Sequence, residues 1–260
     1  MVFDRGEGPP VVVVPGLQGR WEWARPALNR LSQRCRAMSY SLCGDIGSRR
    51  RPDPSRGFDN YVQQLDEILD AAGVPCAAIC GVSFGGFVAV RYAALHPQRV
   101  SALILASAPG PGFQPNPQQS RWLARPWLSA PGFVASAPFR LWPELTASFP
   151  AVPARLGFMV RQGVRCAAAP MLPPLMSSRI RAAAAIDFEA ACRHIDRPTL
   201  VLTGENGLDR VVPVESTRRY ASLIAGAEYR SLPRTGHMGM LTQPAAFAEI
   251  VSDFVHAHHH

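Results

Sequence analysis

A chain of 260 residues with an apolar fraction of 47% has room for one large α/β domain or two small ones. No apolar run approaches the ~18 residues of a membrane-spanning helix. The basic-then-apolar order of a signal peptide is also missing, so a soluble cytoplasmic protein without stable membrane insertion is expected. The net charge of +8 rests on 27 basic residues, all of them arginine. The lack of lysine removes Schiff-base chemistry from consideration.

The charge is uneven. Residues 107–186 hold eight arginines and a single acid, Glu144, for +7, which leaves about +1 for the other 180 residues. Six cysteines (35, 43, 76, 80, 166, 192) form no C-x-x-C pair and no zinc-like spacing. Cys76 and Cys80 flank a short strand and read as packing groups. The terminal His258-His259-His260 resembles a tag remnant and is set apart from the chemistry.

In chain order, residues 1–8 are short and polar. Pro9–Val14 is a continuous β-branched run, the mark of a strand buried on both faces. Pro15-Gly16-Leu17-Gln18-Gly19 ends it. Helical spacing follows from Trp21 to about Arg34, then a second strand over Arg36–Leu42 and a loop to Gly57. In that loop Asp45 and Asp53 read as solvated turn formers. Phe58–Ala72 is an amphipathic helix with Tyr61, Leu65, Ile68 and Leu69 on one stripe, closed by Gly73. Ala77–Cys80 is a short apolar strand, Phe84–Leu95 a helix closed by His96-Pro97, and Val100–Ala106 another buried strand.

The pattern then changes. Pro109–Pro174 holds 13 of the 25 prolines, interleaved with aromatic residues. Prolines this dense predict short helices only, of which Ser178–Ala191 is the clearest. The stretch reads as an inserted helical lid over 109–197, set into a core of 1–108 and 198–257. Its arginines are expected to keep their heads in water over apolar stems, the alternative being that its positive charge recruits an acidic substrate or surface. No nucleic-acid module is present. From Pro198 the alternation resumes: strand Thr199–Thr203, helix Val214–Ile224, strand Glu228–Leu232, helix Ala245–Val255. The fold class is therefore α/β, with a mostly parallel, doubly wound sheet.

Between the third strand and its helix lies Gly81-Val-Ser-Phe-Gly85, a G-x-S-x-G sequence. It suits a sharp strand-to-helix turn that exposes a nucleophilic hydroxyl, with glycines where the turn leaves no room for Cβ or needs positive φ. Asp209 and His237 follow in loops after later strands. Active groups gather at the carboxyl ends of such strands. A serine needs a base to take its proton, histidine serves, and a carboxylate fixes the histidine tautomer. Backbone N–H groups of Leu17 and Phe84 are candidates for the oxyanion hole. Trp21 and Met238 are candidate substrate-binding residues. His96 and His194 read as surface or helix-end groups.

The stretches Ile79–Gly86, Ala94–Val100, Arg197–Gly204, Asp209–Pro213 and Gly236-His237 resemble the α/β-hydrolase superfamily, and within it the lid-bearing serine hydrolases. The resemblance implies a triad of Ser83, Asp209 and His237, an acyl-serine intermediate, and no metal or organic cofactor. A serine at the nucleophile position speaks against the branches that use a carboxylate there. Three departures stand out. Pro15-Gly16 replaces the usual His-Gly. The acid lies five residues past Gly204, so Glu205 rivals Asp209, and Asp209 is preferred because Arg-Val-Val-Pro follows it. The segment before Pro9 is too short for the usual leading hairpin, so one or two edge strands are expected to be missing. The expected activity is hydrolysis of carboxylic esters, with a small-molecule ester bearing an acidic or apolar acyl or aryl group as substrate. Alternatives are a carbon–carbon bond hydrolase or lactonase of the same superfamily, and a ligand-binding protein on the same fold with weak activity.

Overall fold

The computed structural model describes residues 2–259, so His260 of the terminal histidine run lies outside the described residues. The elements in chain order are β1 (Val2–Arg5), β2 (Pro10–Val14), α1 (Arg25–Leu31), β3 (Arg36–Tyr40), α2 (Asp59–Ala71), β4 (Ala77–Val82), α3 (Phe84–Leu95) and β5 (Val100–Ala106). Then come α4 (Pro117–Ala124), α5 (Pro126–Ser148), α6 (Val152–Ala168), α7 (Pro173–Ala183) and α8 (Phe188–Arg193). The chain closes with β6 (Thr199–Thr203), α9 (Val214–Leu223), β7 (Glu228–Ser231), α10 (Gly239–Thr242) and α11 (Pro244–Ala257).

The strands form one seven-stranded sheet in the order β1-β3-β2-β4-β5-β6-β7. All neighbours are parallel except β1, which runs antiparallel to β3. The four valines of β2 explain the centre of the sheet. All are buried, and they alternate between faces: Val12 and Val14 enter the core under α2 and α3, Val11 and Val13 the core under α1 and α11. Period-two alternation with both faces apolar is what a helix-covered parallel sheet requires.

Three sequence expectations change here. The polar N-terminal segment supplies an edge strand, with Val2 opposite Tyr40 and Arg5 opposite Ala37. An edge strand can be polar because only one of its sides pairs. The proline-rich region holds long helices, not short ones: α5 runs 23 residues through Pro131, Pro138 and Pro143. Each proline forfeits one backbone hydrogen bond. Pro131 and Pro138 lie on the exposed face of α5, where the carbonyl freed four residues earlier can be solvated. The expected helix Ser178–Ala191 is two pieces, α7 and α8, separated by a turn at Ala184–Asp187. Helix α8 packs on α3 through Phe188 stacked 4.4 Å from Phe87. The helices α4 to α7 therefore form the insertion between β5 and β6, and α8 belongs with the sheet's own cover.

All six cysteines are free, and Cys80 is buried in β4. No helix among the described residues is long and apolar enough to cross a membrane.

Candidate active site

Parallel pairing sets the site. Val14 at the end of β2 lies opposite Gly81 in β4, so the loop 15–19 emerges beside the turn at Ser83. Ser83 carries the strain of that turn, with φ 50° and ψ −123°, a conformation that costs ordinary residues on the order of 1–3 kcal/mol. The flanking glycines are needed for close approach and not for positive φ, which neither has. A Cβ on Gly81 would stand 2.5 Å from the Gly85 carbonyl oxygen, and one on Gly85 would stand 2.8 Å from that of Pro15. Gly85→Ala is therefore expected to push α3 off β2, costing about 1–3 kcal/mol. Urea denaturation checks this, and an unchanged midpoint would mean that the turn has slack.

Ser83 Oγ lies 3.1 Å from His237 Nε2, and His237 Nδ1 lies 3.1 Å from Asp209 Oδ2. Asp209 Oδ1 accepts from the N–H groups of Val211 and Val212, each at 2.9 Å. These two donors hold the carboxylate so that its other oxygen faces the imidazole. Glu205 is committed elsewhere: its Oε1 accepts from Arg234 N–H at 2.8 Å, which braces the histidine loop at a residue with φ 58°. The loops after β6 and β7 touch at two glycines. A Cβ on Gly204 would meet Gly236 Cα at 2.6 Å, and one on Gly236 would meet Asp209 N at 2.9 Å. That contact is what brings Asp209 to His237.

Burial pulls the His237 pKa down. The charge of Asp209, its hydrogen bond and the charge of Glu144 outweigh this and raise it above the ordinary value.

The two candidate oxyanion donors lie in segments adjoining Ser83: Phe84 follows it directly, and Leu17 follows Gly16. Phe84 opens α3, so its N–H is one of those a helix leaves without an internal acceptor. Leu17 N–H has no protein acceptor among the described residues. Gly16 passes so close above Ser83 that a Cβ there would lie 3.3 Å from Ser83 Cβ. In the absence of the usual histidine, Arg179 holds this loop from α7. Its Nη1 donates to Leu17 O at 2.8 Å, and its Nη2 pairs with Asp45. Both side chains of that pair are fully buried. Asp45 is thus a buried ion-pair partner and not a solvated turn former, whereas Asp53 does cap a turn at Ser55.

Helix α5 grips the other half of the site. Glu144, fully buried, accepts from Met238 N–H at 2.9 Å and from Thr242 Oγ1 at 3.1 Å. Burial pushes its carboxyl up, against the pull of these donors and of His237. Ser148 Oγ donates to Arg234 O at 2.6 Å. From inside the insertion, Arg179 thus reaches the loop at Leu17, and Glu144 and Ser148 reach the histidine loop. Glu144 had one sequence signal, its being the lone acid among eight arginines. Arg179 had none.

Trp21 is not brought to Ser83. It is buried against Phe3, ring centroids 5.5 Å apart, beneath the sheet face covered by α1 and α11. The helical turn at Trp21–Ala24 aims its indole into that core. Met238 is half-buried beside His237. His96 caps α3 and stacks on Tyr92, and His194 caps α8.

A parallel sheet whose strand ends carry a strained serine, a histidine and a carboxylate in hydrogen-bonded series defines a class, and the family comparison agrees. Residues 11–250 match the alpha/beta hydrolase family, and the chain belongs to it. Among curated relatives it is similar to the 2-hydroxy-6-oxo-2,4-heptadienoate hydrolase of Pseudomonas putida strain F1, with 30% identity over 98% of this chain and 92% of that one. Among solved structures it is similar to a thermophilic esterase from Thermogutta terrifontis, with TM-score 0.81, 23% identity and coverage of 100% and 94%. It is also similar to the enol-lactonase from Burkholderia xenovorans LB400, with TM-score 0.79, 21% identity and coverage of 98% and 96%.

Proposed function

We propose that this chain is a serine hydrolase that cleaves a carbon–carbon bond beside a ketone in a carboxylate-bearing dienoate, through an acyl group on Ser83. The observation that carries the chemistry is the series Ser83–His237–Asp209. The choice of bond rests on the Pseudomonas putida relative, which moves the weight from ester hydrolysis to the carbon–carbon alternative. The charge of +7 on residues 107–186 supports an acidic substrate.

In this reading His237 takes the Ser83 proton as Oγ adds to the ketone carbon. Asp209 fixes the tautomer and supports the imidazolium. Leu17 and Phe84 N–H groups receive the oxyanion. The enol proton of the dienoate first moves to the carbon beside the ketone, giving the 2-keto tautomer, and collapse then breaks the bond between that saturated carbon and the former ketone carbon. The leaving carbon departs as an enolate extended through the conjugated keto acid, and it takes the proton from His237. Water, deprotonated by His237, then attacks the acyl carbon and frees the second acid and Ser83. An ester would follow the same steps with oxygen as leaving atom. The inserted helices act as a lid over Ser83.

The test has two parts. A fluorophosphonate probe should label the wild-type chain at Ser83. No labelling would sink the serine mechanism and favour the ligand-binding reading. Next, kcat/KM is compared for a 2-hydroxy-6-oxo-dienoate and a short p-nitrophenyl ester. The dienoate is expected to lead by about 100-fold, since a site built to bind a polar group rejects substrates lacking it. A lead for the ester would return the chain to carboxylic-ester hydrolysis.

A further inference from the structure

A helix lying on a protein surface turns its apolar stripe inward and its polar side to water. Helices α5 and α6 do the reverse. Between residues 126 and 168, every exposed residue is apolar, glycine or proline except Arg161. On α5 the outward side chains include Trp127, Leu128, Val134, Phe139 and Trp142, with Phe139 76% exposed. On α6 they are Val152, Leu156, Val160 and Val164, a strict four-residue stripe. Of the 13 large hydrophobic side chains exposed among the described residues, nine lie on these two helices. Monomeric proteins do not ordinarily leave such a surface in water.

The charges on the face have one sign. Arg121, Arg125 and Arg161 are exposed around it. Arg155 lies 5.0 Å over the Trp142 ring, and Arg140 sits between Trp122 and Phe133 at 4.9 and 4.6 Å. The one acid of the region, Glu144, is buried beneath Met238 and neutralises nothing outside.

The occupant follows from these two facts. A second copy would match the apolar stripes, but a two-fold contact brings two positively charged surfaces together with no exposed acid on either to pair their arginines. A protein partner needs a pattern of hydrogen-bonding side chains to set its register, and the exposed residues of the two helices offer only Arg161. A lipid surface needs none. Apolar side chains enter the acyl boundary, tryptophans sit at headgroup level, and guanidinium groups meet phosphates. The prolines limit depth, because the carbonyls freed at Trp127 and Val134 must stay hydrated.

We propose that the outer face of α5 and α6 docks on an anionic bilayer, lying in the headgroup zone with its arginines on lipid phosphates. The surface is separate from Ser83 and independent of which bond is cleaved.

Flotation of the full chain with vesicles tests this. Vesicles of phosphatidylglycerol and phosphatidylcholine are expected to carry the protein, and pure phosphatidylcholine vesicles about tenfold less. Rising salt should release it. The Phe139→Ser/Leu156→Ser double variant should lose at least about tenfold in partition, and Arg161→Glu should weaken it further. Both substitutions are at exposed positions, so the thermal unfolding curve should not move and serves as the folding control. Three results would overturn the proposal: no flotation on anionic vesicles, equal flotation on both lipids, or a concentration-dependent dimer that the double variant abolishes. Retention on an acidic polypeptide in place of vesicles would assign the face to a protein instead.

Discussion

Ser83→Ala is expected to lower kcat by about 10⁶-fold, and Asp209→Asn by about 10⁴-fold, while Glu205→Gln stays within a few-fold of wild type. The ordering follows from the roles proposed. Without Oγ no acyl group can form. Without the Asp209 charge the imidazole keeps its place but loses the tautomer that leaves Nε2 free to accept, because an amide can donate to Nδ1. The Glu205 carboxylate accepts from Arg234 N–H and has no hydrogen bond to Ser83 or His237 among the described residues. Single-turnover kinetics on the preferred substrate measures all three. Equal losses for Glu205→Gln and Asp209→Asn would reassign the acid. The pH profile gives an independent reading. His237 works as a base only when neutral, and Asp209 and Glu144 raise its pKa above the ordinary value. The acid limb of kcat/KM should therefore lie above the ordinary histidine value, with activity lost as pH falls through it. In Asp209→Asn the residual activity should show that limb moved to lower pH, because the carboxylate charge that favoured the imidazolium is gone.

Arg179→Met is expected to destabilise the chain by about 3–5 kcal/mol, because it takes from the buried Asp45 carboxylate its directly paired and strongest counter-charge. The double variant Arg179→Met/Asp45→Asn should recover much of that loss, since the charge that needed Arg179 is then also removed. Asp45 Oδ1 and Arg179 Nε have no partner among the described residues, so the native pair is itself incompletely satisfied. Urea denaturation compares the three forms. The double variant also separates fold from positioning. Stability returns, but Leu17 O has lost the Arg179 donor that fixes its loop. If Leu17 N–H serves the oxyanion, kcat should remain down by about 10²-fold with KM little changed. Full recovery of kcat along with stability would make Arg179 a structural residue only.

The same two residues mark a boundary in what the chain discloses. Asp45 sits in a glycine-rich polar loop, and from local chemistry it reads as a turn former. It becomes buried because α7, 134 residues later, lays Arg179 across it. Glu144 likewise looks like one stray acid until α5 brings it under Met238. Trp21 errs in the other direction. Following the oxyanion loop in sequence suggests a pocket residue, yet one helical turn carries it into the core under α1 and α11, against Phe3.

Local pattern determined the alternation of strands and helices, the buried β-branched β2, the turn at Ser83 and the placing of a histidine and candidate carboxylates after later strands. Each is a short-range property: period-two burial, the steric needs of a tight turn, and the placing of polar groups at strand ends. Tertiary structure decided the rest. The edge strand β1 depends on pairing with β3. Pro131 and Pro138 stay inside α5 because they lie on its exposed face, where the freed carbonyls can be solvated. Asp209 and not Glu205 meets His237 because Gly204 and Gly236 let two loops touch. The insertion reaches the loops on both sides of Ser83 through single buried charges, and such a charge is tolerated only where distant chain supplies its partner. No window of sequence holds both members of such a pair.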